Sequence, residues 1–303
     1  MSDSALGLRG LVAFPVTPTM HDERVDAARL RSLLDEVLAD GVDGVVVLGS
    51  SGGSVLFPET ERMKIAELTL AHVAGRVPVM VGTGALTTAE SIQLSRHAAQ
   101  HGASAVLVVP IAYWRLREQE LIEHFWQVAD AIDIPLCLYN NPRLTLTDMS
   151  PALMARIGEH PRIRSVKESA SDVQRLAEIR RVAPSMHLAT GRDGQAIDGM
   201  ASGAQGWHCA MANLAPQLCV QVYGLCRAGR FDEARAAWAP IERLVDFCVE
   251  NGLIRSLHAA LGLLGRPVGS PPRPILPLTA AELERLGALL RSSALAPKLG
   301  DAE

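Results

Sequence analysis

The sequence predicts an α/β fold, a (β/α)8 TIM barrel followed by a C-terminal helical extension. Three observations predict it. Short β-branched apolar runs alternate with helix-period stretches eight times, the repeat a closed parallel barrel needs. Polar residues gather just after these runs, at the end where such a barrel builds its site. No Gly-x-Gly-x-x-Gly follows the first run, which weighs against the alternative, an open doubly wound sheet that binds a dinucleotide.

The strands are expected at 11–16, 44–48, 77–82, 105–109, 135–139, 163–167, 186–190 and 206–210. Helices are expected between them, for example at 27–38, 59–73, 89–100, 118–131 and 173–182. Thr87 precedes Glu90 by the spacing of a capping box. Ser150-Pro151 reads as an N-cap followed by proline at the first helical position. The pattern changes near residue 229, which divides the chain into a barrel at 1–228 and an extension at 229–303. Phe231, Ala234, Trp238, Ile241, Leu244, Val245 and Cys248 fall at helical spacing, so an apolar face there must pack on the barrel or on another subunit. Residues 265–277 are rich in proline and glycine and read as a connector. Thr279 and Glu282 form a second capping-box signal, and residues 296–303 are expected to fray.

Composition narrows the function classes. The 303 residues are 48% hydrophobic and 20% charged, ordinary for a globular protein. A net charge of −4 with no basic block argues against nucleic acid as a partner. The apolar runs are too short for a membrane span, and Met1-Ser2-Asp3-Ser4 has no signal-peptide character, so a cytoplasmic protein is expected. Five cysteines without a Cys-x-x-Cys pair fit reduced thiols. The histidines are scattered, with no paired ligands at strand ends, so no metal is expected.

The sixth run, Ile163-Arg164-Ser165-Val166-Lys167, ends in a lysine. Burial disfavours the charged form of an amine, and a neutral lysine condenses with a ketone to give a Schiff base. The competing reading is a side chain that snorkels to solvent. Tyr139 ends the neighbouring run, and adjacent strands lie about 4.8 Å apart, so phenol and amine meet at the barrel mouth. A tyrosine on a hydroxyl relay can shuttle the protons of imine formation, with Ser50 or Ser51 linking it to water. Gly52-Gly53 and Gly191-Arg192-Asp193-Gly194 also permit phosphate binding. His208 either faces the mouth or is a hydrogen-bonded core residue.

Phe14-Pro15-Val16-Thr17-Pro18, Gly49-Ser50-Ser51-Gly52, Tyr139-Asn140-Asn141-Pro142 and Val166-Lys167-Glu168-Ser169 together resemble the dihydrodipicolinate synthase / N-acetylneuraminate lyase family. The resemblance implies a class I, Schiff-base-forming lyase acting on pyruvate or a related 2-keto acid, by aldol cleavage or condensation or by dehydration of a hydroxylated keto acid. Lys167 would carry the imine, with no metal or nucleotide cofactor, and Tyr139 would transfer protons. Ser50 and Ser51 would hold the keto-acid carboxylate, and Gly191 would line the pocket. Tyr113 would reach the relay of a neighbouring subunit in a homotetramer built as a dimer of dimers.

Three positions depart from the family pattern. Gly53 replaces a glutamate. Leu144 stands where dihydrodipicolinate synthases carry a carboxylate-gripping arginine; Arg143, one residue early, is kept as a substrate-binding candidate. His208 replaces an aliphatic residue at the pyruvate site, where it could bond a polar substrate or act as an extra acid or base. The alternatives are a true 4-hydroxy-tetrahydrodipicolinate synthase, or a keto-acid-binding sensor without turnover. A metal-dependent barrel enzyme is a third.

Overall fold

The structure is a computed structural model that describes residues 9–295. Eight parallel strands close into a barrel in chain order: β1 (Gly10–Ala13), β2 (Gly44–Val47), β3 (Val79–Gly82), β4 (Ala105–Val108), β5 (Leu136–Asn140), β6 (Ile163–Glu168), β7 (His187–Thr190) and β8 (Gly206–Cys209). The closing pair is β1 with β8, in the register Val12 to His208. The helices are α1 (Ala27–Ala39), α2 (Glu59–Val73), α3 (Thr88–Gln100), α4 (Glu118–Asp130), α5 (Pro142–Thr145), α6 (Pro151–Ile157), α7 (Gln174–Val182), α8 (Ala196–Ala201), α9 (Pro216–Arg227), α10 (Phe231–Trp238), α11 (Glu242–Asn251), α12 (Leu253–Leu263) and α13 (Ala280–Arg291).

Most strands run shorter than the apolar runs that announce them. β1 stops at Ala13 because Pro15 cannot continue the ladder and the Val16 N–H turns to the Asn213 side chain at 2.9 Å. β6 runs one residue past Lys167, since Glu168 pairs with Asn140 of β5. The Thr87 capping box is half made. The Thr87 hydroxyl accepts from the Glu90 N–H, but the Glu90 carboxylate instead lies 3.8 Å from the buried guanidinium of Arg62. The Ser150 cap forms, and Thr279 and Glu282 form the reciprocal pair. The fraying expected at 296–303 lies outside the described residues.

Strand alternation sorts the side chains into two cores. Val12, Phe14, Val46, Met80, Ala105, Leu107, Cys137 and Tyr139 fill the barrel interior. A larger apolar layer lies between strands and helices. The extension joins this outer layer: Trp238 meets Trp207 edge-on at 5.1 Å, and Leu244, Val245, Phe247, Leu286 and Leu290 are buried there. Its apolar face therefore packs on its own barrel. All five cysteines are buried and free. No described helix is long and apolar enough to cross a membrane.

Candidate active site

Lys167 is inward-facing and only 4% exposed, so it does not snorkel. Its neighbour Val166 points the other way, into the helix-facing layer. The Lys167 Nζ lies 3.6 Å from the centre of the Phe14 ring and 4.2 Å from that of Tyr139. Aromatic faces attract an ammonium and leave a narrow apolar slot around it. Lys167 and Tyr139 are direct register partners on β6 and β5.

The Tyr139 hydroxyl accepts a hydrogen bond from Asn141 Nδ2 at 2.7 Å and shares one with Ser50 Oγ at 3.3 Å. Burial pushes its pKa up, but the nearby Lys167 charge and these hydrogen bonds outweigh burial and hold it below the ordinary phenol value. Of the two candidate serines, then, Ser50 reaches the phenol. The Ser51 hydroxyl is turned away and donates to the Phe14 carbonyl at 2.7 Å, closing the loop onto β1. The backbone N–H groups of Ser50 and Ser51 bond to nothing among the described residues, whereas those of Gly53 and Ser54 turn back onto Ser50 and Gly49. Two unspent N–H donors suit a carboxylate better than a phosphate cradle. Gly53 adopts φ 64°, a left-handed conformation that a glutamate there would enter only with strain. Leu48, just before this loop, is itself left-handed at φ 57°, a strain of about 1–3 kcal/mol of the kind found at functional sites.

Buried polar ties hold the strand ends. Glu168 accepts from Asn140 Nδ2 at 3.0 Å and from the Ala170 N–H at 2.6 Å, with Arg175 at 3.5 Å. Burial still leaves its carboxyl above the ordinary range. The Asp193 carboxylate accepts from Trp207 Nε1 and from the N–H groups of Ala210 and Met211, fastening the β7 loop to β8. Asn213 donates to the Phe14 carbonyl at 2.8 Å. Gly191 is required by crowding: a Cβ there would lie 2.5 Å from Lys167 Cε and 2.2 Å from Ser169 Oγ.

The strand ends open on a cavity of about 530 Å3, within the range of small-molecule sites. Lys167, Tyr139, Ser50, Ser51, Gly191 and His208 all line it, and Arg143 lies on its wall beside Leu144. The one-residue shift thus leaves Arg143 on the cavity. His208 is buried, its ring 5.3 Å from that of Phe14. Tyr113 lies apart from the cavity, 84% exposed and packed edge-on against Trp114 at 5.0 Å.

Sequence reasoning missed the far wall. Val245, Cys248 and Arg255 of the extension line the same cavity, and so does Arg192. The sequence marked Arg192 only as part of the Gly191–Gly194 stretch that permits phosphate binding; nothing in the helical periodicity marks Arg255. Among the described residues, the cluster of three that could hold a metal ion is Glu67, His97 and His101, on the outer faces of α2 and α3 and not on the cavity.

The arrangement offers a buried amine, a phenol with its own hydroxyl relay, and N–H groups free to take a carboxylate. A family model described as the dihydrodipicolinate synthetase family matches residues 7–293. A 4-hydroxy-tetrahydrodipicolinate synthase of Gluconacetobacter diazotrophicus is 34% identical over 88% of this chain and 92% of its own length. An N-acetylneuraminate lyase of Rhizobium meliloti is 32% identical over 92% of this chain and 93% of its own. A solved dihydrodipicolinate synthase of Acinetobacter baumannii, complexed with pyruvate, superposes with a TM-score of 0.92 at 27% identity, covering 95% of this chain and 99% of that one. The chain belongs to the dihydrodipicolinate synthetase family and is a class I, Schiff-base-forming lyase.

Proposed function

We propose that the substrate is pyruvate or a related 2-keto acid and that Lys167 forms the imine. The observation that carries this is the amine of Lys167, enclosed by Phe14 and Tyr139 and next to the open N–H groups of Ser50 and Ser51. Those N–H groups hold the keto-acid carboxylate. The amine, once it has given up its proton, attacks the ketone carbon to give a carbinolamine. Tyr139 passes a proton to the carbinolamine oxygen, which leaves as water, and Ser50 connects the phenol to solvent. The protonated imine is an electron sink. It supports cleavage or formation of the adjacent carbon–carbon bond through an enamine, or loss of water from a hydroxylated keto acid.

In this reading no metal or nucleotide is needed, because the imine nitrogen takes the electrons. Ser51 acts through its backbone, its hydroxyl being spent on Phe14. The exposed Tyr113 reaches a neighbouring subunit of a homotetramer, and the enzyme works in the cytoplasm.

A narrower reading, 4-hydroxy-tetrahydrodipicolinate synthase, is favoured by the position of Arg143 on the cavity wall, where it could grip a second substrate's carboxylate. Borohydride reduction with pyruvate, followed by peptide mass mapping, tests the common core. An adduct on the Lys167 peptide is expected. An adduct elsewhere, or none with any 2-keto acid, overturns it. Trapping at Lys167 without turnover across aldehydes and sugar acids identifies a sensor.

A further inference from the structure

The cavity is far larger than a three-carbon keto acid requires, and its outer half is basic. Three guanidinium groups line it from three separate elements: Arg143 from α5, Arg192 from the loop after β7, and Arg255 from α12 in the extension. None of them forms a side-chain hydrogen bond or an ion pair among the described residues. The Arg255 Nε is buried with no partner, held near Gly252 where α11 breaks into α12 at φ 92°. Arg192 is partly buried, and its charge is opposed by burial and by Arg143 facing it. The carboxylates on this wall do not neutralise the three. Asp193 is spent on Trp207 and two N–H groups, and Asp246 is exposed. Glu282, which senses the Arg255 charge, is engaged in capping α13. Bringing unpaired cations together in a half-enclosed wall costs free energy, and an anion recovers it through charge-assisted hydrogen bonds.

We propose that Arg192 and Arg255, with Arg143 at the rim, bind a second anionic group of the substrate, a terminal carboxylate or phosphate several carbons from the ketone. The inference rests on Lys167 holding the ketone end. It assigns the enzyme to keto acids that carry negative charge at both ends. It also makes the extension a substrate-binding element, since Arg255 lies beyond the barrel.

The test uses the intact protein and paired probes of equal chain length. 2-Oxoglutarate is compared with 2-oxopentanoate, and 2-oxoadipate with 2-oxohexanoate, by the concentration giving half-maximal borohydride trapping at Lys167. The diacid is expected to trap at about tenfold lower concentration or better, the range of one charge-assisted contact. R192Q and R255Q are each expected to erode that preference several-fold and together to abolish it, while R192K and R255K retain most of it. A wild-type protein that does not distinguish the pairs, or an unchanged preference in the double glutamine variant, overturns the proposal. Melting curves exclude misfolding. If no keto acid is trapped, the Lys167 reading fails by itself, and thermal shifts with glutarate and inorganic phosphate still decide. A shift in the wild type that the double variant lacks supports the anion site, and no shift with either ion overturns it. The stronger of the two ions distinguishes carboxylate from phosphate.

Discussion

Lys167 and Tyr139 stand side by side in register, yet the amine lies against the face of the phenol ring, 4.2 Å from its centre, and makes no hydrogen bond to its oxygen. The hydroxyl is instead held by Asn141 and Ser50. The ring thus shapes the slot for the amine, while in the proposed reaction the oxygen would serve the atom the amine attacks. These two functions separate on mutation. Tyr139→Phe keeps the ring face and removes only the proton carrier, so imine formation is expected to slow by about 10²–10⁴-fold with the fold intact. Rapid-quench borohydride trapping measures this.

Ser50→Ala and Asn141→Ala each remove a hydrogen bond that lowers the Tyr139 pKa. Without it the phenol stays protonated to higher pH. The alkaline limb of the pH–rate profile is therefore expected to move upward in both variants, and a profile unchanged from the wild type would remove the relay from the scheme.

Gly191→Ala places a methyl group where Lys167 Cε and Ser169 Oγ already are. The Lys167 side chain must move, because the strand cannot. The expected result is loss of trapping together with a stability loss of about 1–3 kcal/mol, the usual cost of overpacking. Urea denaturation and trapping on the same sample report both.

His187 gives an acid limit to stability. Burial, then the charges of Arg9 and Arg227, depress its pKa from 6.5 to about 4. Between those values the unfolded chain takes up a proton that the folded chain refuses, so stability falls as pH drops from 6.5 to 4 and this contribution levels off below. The full effect is about 3 kcal/mol. His187→Gln removes this step, which urea midpoints at pH 7 and pH 4 compare directly.

Trp114 and Tyr113 are 76% and 84% exposed. In the homotetramer proposed above this pair would anchor a subunit contact, since aromatic side chains dominate interface hot spots. Trp114→Ala is expected to weaken assembly without unfolding the subunit, and sedimentation velocity across a concentration series reads the shift. Assembly identical to the wild type would separate these side chains from the interface.

The barrel and the placing of Lys167 and Tyr139 at its mouth were legible in the sequence because both follow from periodicity. An apolar run that ends in a polar residue places Lys167 and Tyr139 without knowledge of any contact. The division of labour between Ser50 and Ser51 was not legible, because it depends on which hydroxyl the left-handed turn at Leu48 directs toward β5. The Glu168–Asn140 tie and the Asp193–Trp207 bond were equally hidden, since each joins residues distant in sequence. Glu90 shows the opposite error. Local spacing gave it a cap to complete, and a buried arginine on another helix drew it away.

The wall around Lys167 comes largely from strand ends and their loops, which the closed barrel constrains, whereas much of the opposite wall comes from α11 and α12, which no strand follows. Changes in those two helices leave the register of Lys167 with Tyr139 untouched. New preferences for the remote half of a reactant can therefore be acquired by drift in a tail, at no risk to the bond-making machinery, and a chimera that exchanges only that tail between relatives is the direct way to transfer them.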